Sequence, residues 1–86
     1  MIKPEKLPNA LYALHGVLIQ ARAMAYRGVP AAALADILDD AELLPRLLAN
    51  QVDETDKFRM YLEEIARKHQ AMFVVQRFDQ PTPHTW

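Results

Sequence analysis

The hydrophobic positions of this sequence are densest between Asn9 and Arg27, where they recur with the period of an α-helix. One broad face of this predicted helix carries six apolar residues that we expect to pack in the interior: Leu11, Leu14, Val17, Leu18, Ala21 and Ala25. The opposite side is also apolar, because Tyr12, Ile19 and Tyr26 follow one another at intervals of seven. A helix that is apolar on nearly every side must be covered by more than one neighbour.

Local signals predict where this first helix begins and ends. Asn9 is predicted to be its N-cap, because an asparagine side chain accepts hydrogen bonds from the free N–H groups of a first turn. Gly28 and Pro30 predict its end, since glycine adopts the left-handed conformation and proline cannot continue the helix. Residues 1–8 contain two prolines and are predicted to form a flexible arm.

Two further helical segments follow. Residues 31–50 have helical periodicity, but Pro45 lacks an amide hydrogen and predicts a kink or a break near Leu43–Leu44. Asp53 is predicted to cap a third helix that runs at least to Gln70. The third helix has the clearest amphipathic pattern in the chain.

The segment from 71 to 78 is compatible with a helix or a short strand, because it is rich in β-branched and aromatic residues. We predict a helix, since no partner strand is evident elsewhere in the sequence. Met60, Val74 and Phe78 would then form a secondary apolar strip on the back of the third helix. The tail from 79 to 86 contains two prolines and is predicted to be disordered.

These elements predict an all-α fold: a small three-helix bundle over residues 9–78, with the middle helix kinked or broken near Pro45. The 86 residues are about half apolar, which is typical of one globular domain. A domain of this size buries a modest share of its surface, so association with a second chain would add stability.

The surplus apolar side of the first helix predicts a homodimer. The predicted interface consists of five residues on that side: Tyr12, Gly16, Ile19, Ala23 and Tyr26. Gly16 and Ala23 are small enough to allow close approach of another helix. The alternative is a monomer in which residues 72–78 fold over this side.

The composition includes few side chains that could act as catalytic nucleophiles. The chain has no serine, no cysteine and only three threonines, so a hydroxyl or thiol nucleophile is not indicated. Two glycines cannot form a phosphate-binding loop. The formal net charge of −1 favours neither a nucleic-acid nor a membrane partner. We therefore predict no catalytic residue, no cofactor and no metal ligand, and the absence of cysteine is compatible with the cytoplasm.

His15 and His69 are the two histidines that lie within predicted helices. His69 lies on the apolar face of the third helix and is interpreted as a structural residue, because no ligand-spaced partner accompanies it. The acidic run of Asp36, Asp39, Asp40 and Glu42 is interpreted as a solvated helix face or cap. A metal or acid–base site would require the two histidines to meet across a helix interface.

Two classes of function remain. The first is a non-enzymatic module for protein–protein interaction or regulation, which the surplus apolar surface and the missing nucleophiles favour. The alternative is a small enzyme or a ligand- or metal-binding bundle that uses His15 and His69.

Overall fold

The computed structural model describes residues 4–50 and 55–81, and within these ranges the regular structure is entirely helical. A short 3-10 helix, Pro4–Lys6, leads into α1 (Leu7–Tyr26), followed by α2 (Ala31–Asn50), α3 (Thr55–Lys68) and α4 (Phe73–Asp79). The all-α prediction is confirmed, with four α-helices in these ranges instead of three. The predicted cap Asp53 and the tail beyond residue 81 lie outside the described residues. No described helix is both long enough and apolar enough to span a membrane.

The beginning of α1 differs from the prediction. The helix starts at Leu7, and residues 4–8, predicted as a flexible arm, are helical. Pro8 is tolerated because it occupies the first turn, where its missing N–H has no intrahelical acceptor. Asn9 is therefore inside the helix and not its cap. Its side chain is buried and donates hydrogen bonds to the carbonyls of Phe78 and Gln80.

The end of α1 is as predicted. Gly28 adopts φ of 75°, and its N–H donates to the carbonyl of Ala25 at 3.0 Å. The N–H of Val29 donates to the carbonyl of Met24 at 3.2 Å. These two bonds form a Schellman motif, which satisfies the last carbonyls of the helix.

The predicted break in the second helix does not occur, because α2 continues through Pro45. Leu44 is fully buried and Leu48 packs against the core, so the segment is anchored on both sides of the proline. This burial offsets the hydrogen bond that proline cannot donate. A kink at Pro45 stays a prediction.

The third helical segment is interrupted where we predicted continuity. Gln70 has φ of 54°, and the N–H of Ala71 donates to the carbonyl of Ala66 at 2.8 Å. This is a second Schellman motif, with glutamine in the position that glycine occupies after α1. The chain therefore turns at His69–Gln70 and begins the separate helix α4 at Phe73. The helical prediction for 71–78 is confirmed for residues 73–78, whereas the prediction that the third helix continues to Gln70 is wrong, because α3 ends at Lys68.

Replacing Gln70 with glycine is expected to raise the free energy of unfolding by about 0.5–1 kcal/mol, because a side chain at positive φ costs more than the added flexibility of glycine. Gly28→Ala is the reciprocal control, since its site is equally left-handed and a Cβ there meets no atom within 4 Å. That variant should lose a similar amount in urea denaturation. Equal stability of both variants and the wild type would contradict the assignment of backbone strain.

The four α-helices share one hydrophobic core, with α4 packed against both α1 and α3, and α2 packed mainly against α1. The largest fully buried side chains are Phe58, Phe78, Ile37, Leu44, Leu62, Val17 and Val74. The rings of Phe58 and Phe78 lie 5.6 Å apart between α3 and α4. Arg59 on α3 donates two hydrogen bonds to Asp79, at 2.8 and 2.7 Å, and thereby lowers the pKa of that carboxyl.

Candidate functional site

The outward face of α1 carries a row of leucines. Leu7, Leu11 and Leu18 are 43%, 45% and 47% exposed, and Leu14 between them is half-buried. Their spacing of four, three and four residues is that of the apolar positions of a heptad, which lie along one side of a helix. We call these four residues the leucine row. Our prediction that Leu11 and Leu18 pack in the interior is wrong.

The interior side of α1 is made of smaller residues. Its buried positions are Asn9, Ala10, Ala13, Gly16, Val17, Ala21 and Met24. Small side chains let α2 and α4 approach the α1 backbone closely from two directions, and the bulkier leucines are left on the third side. Ala25, also predicted to be interior, is exposed.

The predicted dimer interface is partly covered by α4 of the same chain. Gly16 is buried, and a Cβ built on it would lie 3.0 Å from Cδ of Arg77 and 3.2 Å from the ring of Phe73. The close approach expected at Gly16 is thus made within the chain, so this residue cannot meet a partner. Tyr12, Ile19 and Ala23 are half-buried.

Tyr26 is the most exposed of the predicted interface residues, at 83%. It lies in the last turn of α1. The segment 72–78 folds over the neighbouring positions, as in the alternative from the sequence, whereas the monomeric state that went with that alternative stays a prediction.

Arg77 holds α4 on this side of α1. Its guanidinium lies 4.1 Å from the ring centre of Tyr12 and 5.5 Å from that of Phe73. Its Nη1 donates to the carbonyl of Tyr12 and to Nδ1 of His15, both at 3.2 Å. Cation–π contacts of this kind stabilise a packed arginine whose charge is only partly hydrated.

The three residues of the predicted secondary apolar strip do not form one exposed surface. Val74 and Phe78 are buried in the core, whereas Met60 is 66% exposed. The break at Gln70 reorients α4 relative to α3, so residues that would share a face of one long helix do not share a face in the structure.

A polar cluster joins the end of α3 to the middle of α2. Nε2 of His69 lies 2.6 Å from Oδ2 of Asp40, and the His69 side chain is only 6% exposed. Nζ of Lys68 lies 2.9 Å from Oδ1 of Asp36 and 3.4 Å from Oδ2 of Asp40. We call these four residues the α2–α3 cluster. The hydrogen bond between Lys68 and Asp36 lowers the pKa of the carboxyl and raises that of the ammonium.

The two histidines belong to different groups of residues. His15 contacts Arg77 near the α1–α4 interface, whereas His69 contacts Asp40 on α2. A site formed jointly by His15 and His69, the alternative from the sequence, stays a prediction.

A cleft of about 450 Å³ lies beside the α2–α3 cluster. Its apolar wall includes Met24, Val29 and Ala33, and its polar rim includes Asp36 and His69. The carbonyl of His69 accepts a hydrogen bond from Nε2 of Gln20 at 3.2 Å, which fixes the end of α3 against α1. Gln20, Arg27, Lys68 and Gln70 also line the cleft, so its surface is mostly polar around a small apolar wall.

Sequence reasoning missed both the leucine row and the cluster, although each has a signal in the sequence. The leucines lie at heptad spacing, but Leu7 was assigned to the predicted arm. Asp36 and Asp40 are four residues apart, which places both carboxylates on one helix face. Nothing in the sequence indicates that Lys68 and His69, at the end of α3, lie against that face of α2.

Comparison of the chain with models of protein families, with curated proteins and with solved structures finds no match.

Proposed function

We propose that this chain is a non-enzymatic protein-interaction module that self-associates through the leucine row of α1. The observation that supports the proposal is the exposure of Leu7, Leu11 and Leu18 on one side of a helix whose single charged residue is Arg22. Outward-facing leucines at heptad spacing are the pattern by which two helices pack side by side. A cytoplasmic location is part of the proposal.

A second copy of the chain is the partner that this surface fits. Two identical leucine rows are complementary to each other when the helices run antiparallel about a two-fold axis, with Leu7 opposite Leu18 and Leu11 opposite Leu14. Antiparallel pairing also brings exposed Glu5 near one end of the row towards exposed Arg22 near the other end of its partner's row. Parallel pairing would place like charges together, which is unfavourable.

The expected affinity is modest. Burying the exposed halves of three leucines from each copy contributes about 5–9 kcal/mol on the scale for complete leucine burial. Association entropy and the ordering of side chains oppose this by at least ~4 kcal/mol. The net gain is at most about 5 kcal/mol, so a dimer with a dissociation constant of about 0.2 mM or weaker is expected.

Sedimentation equilibrium over a range of concentrations tests the proposal. The wild-type mass should rise from that of one chain towards that of two as the concentration increases to about 1 mM, several times the strongest expected dissociation constant. Leu11→Glu should remain one chain, because a carboxylate in the centre of the interface would be buried without a partner.

Leu38→Glu is the matched control, because Leu38 is 46% exposed on α2, as Leu11 is on α1. It should dimerise as the wild type does. A wild type that remains one chain throughout contradicts self-association. Loss of the dimer with Ile19→Glu but not with Leu11→Glu would instead favour the face around Tyr26.

A further inference from the structure

We propose that the α2–α3 cluster is a binding site for a divalent transition metal of the zinc class, with Asp36, Asp40 and His69 as its ligands. Each residue offers one donor atom, and the three donor atoms lie within 4.8 Å of one another. They come from α2 and from the end of α3, two helices that otherwise contact each other little. A metal ion bound by all three residues would therefore join α2 to the end of α3.

The donor geometry is close to what a tetrahedral ion requires. With ligand distances of about 2.0–2.1 Å, donors of such a site are separated by about 3.3 Å. The present separation of His69 Nε2 and Asp40 Oδ2 is 2.6 Å, and no separation in the set exceeds 4.8 Å. The aspartate side chains can change these separations by rotating between staggered rotamers, and ion binding is expected to bring the donors to the tetrahedral spacing.

The imidazole is held in place before any ion arrives. The His69 side chain is almost completely buried, and the residue's backbone is fixed on both sides: the backbone N–H donates to the carbonyl of Ile65 at 3.0 Å, and the backbone carbonyl accepts from Gln20. The ring therefore presents Nε2 to the two carboxylates. A fixed ligand reduces the conformational entropy that metal binding must remove.

Lys68 marks the position as one that attracts a cation. Its ammonium lies between the two carboxylates, yet its side chain is 48% exposed and unbranched, so it can rotate into solvent. A divalent ion competes with this ammonium for the same oxygen atoms. Replacing Lys68 with an uncharged residue should therefore strengthen metal binding, because the ammonium no longer occupies the carboxylate oxygens.

The donor set selects the class of metal. One imidazole nitrogen and two carboxylate oxygens suit Zn²⁺ or Co²⁺, whereas Ca²⁺ and Mg²⁺ prefer sites made entirely of oxygen. Three protein ligands leave a fourth position for water or a small ligand. Asp36 and His69 also line the neighbouring cleft, so that position would be reached from the cleft.

Calorimetric titration of the full-length chain with ZnCl₂ tests the site, and the visible d–d absorption of added Co²⁺ reports its geometry. The expected result is one ion per chain with a micromolar dissociation constant and a tetrahedral Co²⁺ spectrum. Asp36→Asn should weaken binding more than ~10-fold, because a charged ligand is lost. Lys68→Met should strengthen it at least about 3-fold, because a competing ion pair is removed.

His69→Gln should abolish the spectrum, and thermal unfolding would show whether this buried substitution preserves the fold. Asp36 and Lys68 are half exposed, so their variants keep the test independent of folding. His15→Gln and His84→Gln are matched controls that remove the other histidines and should leave binding unchanged. The proposal is overturned by an absence of stoichiometric binding, by binding that survives Asp36→Asn, or by an unchanged affinity in Lys68→Met.

Discussion

Asn9→Leu is expected to lower the free energy of unfolding by about 1–3 kcal/mol, because it removes the amide that donates to the carbonyls at the end of α4. Nδ2 of Asn9 donates to the carbonyl of Gln80 at 2.8 Å and to that of Phe78 at 3.2 Å. Leucine has a similar volume but no donor, so the space stays filled while the Gln80 carbonyl loses this bond and the Phe78 carbonyl keeps only the bond from Lys6. Urea denaturation measures the change.

The loss should be localised to α4. Amide hydrogen exchange of this seven-residue helix should accelerate more than that of α2. Lys6→Met is the control: Nζ of Lys6 also donates to the carbonyl of Phe78, at 2.9 Å, but that carbonyl keeps its bond from Asn9. It should cost less than about 1 kcal/mol. Equal effects of the two substitutions would argue against a special role for Asn9.

Gly16→Leu is expected to cost at least about 3 kcal/mol, because its side chain would enter the volume occupied by Arg77 and Phe73. Helix propensity alone predicts a gain in stability, since leucine in a helix is more favourable than glycine by about 0.8 kcal/mol. The sign of the measured change in unfolding free energy therefore separates the packing effect from the propensity effect.

Gly16→Ala provides the intermediate step. A single Cβ requires the aliphatic part of Arg77 and the ring of Phe73 to move by a few tenths of an ångström, so its effect should lie within about 1 kcal/mol of zero. A Gly16→Leu variant as stable as the wild type would show that α4 does not pack over this position. In that case the face would be open to a partner.

The two helix ends at Gly28 and Gln70 show what could be predicted from the sequence. Both adopt positive φ and complete the same hydrogen-bonding motif. A glycine in the sequence predicts such a turn because glycine has no Cβ and adopts positive φ readily, whereas a glutamine normally predicts that the helix continues. The second turn is imposed by the burial of Ala71, Val74 and Phe78, which depends on contacts distant in the sequence.

The orientation of α1 was unpredictable for a different reason. Hydrophobic periodicity identifies an inward face only when the outward face is polar, and α1 has apolar residues on every side. Ranking by hydrophobicity favoured the leucines, but α2 and α4 select small residues because these permit close packing. The α2–α3 cluster depends on the same tertiary arrangement, so its members could be recognised singly but not as a group.

The hydrogen bonds from Asn9 to the end of α4 span 69 residues of sequence. At a translation rate of about 5–20 residues per second, α1 emerges several seconds before the helix that covers its Gly16 side. During that interval both this side and the leucine row of a nascent chain are open to other molecules. Among the described α-helices α1 is made first, so it stays uncovered for longer than α4, which can pack against it as soon as it emerges.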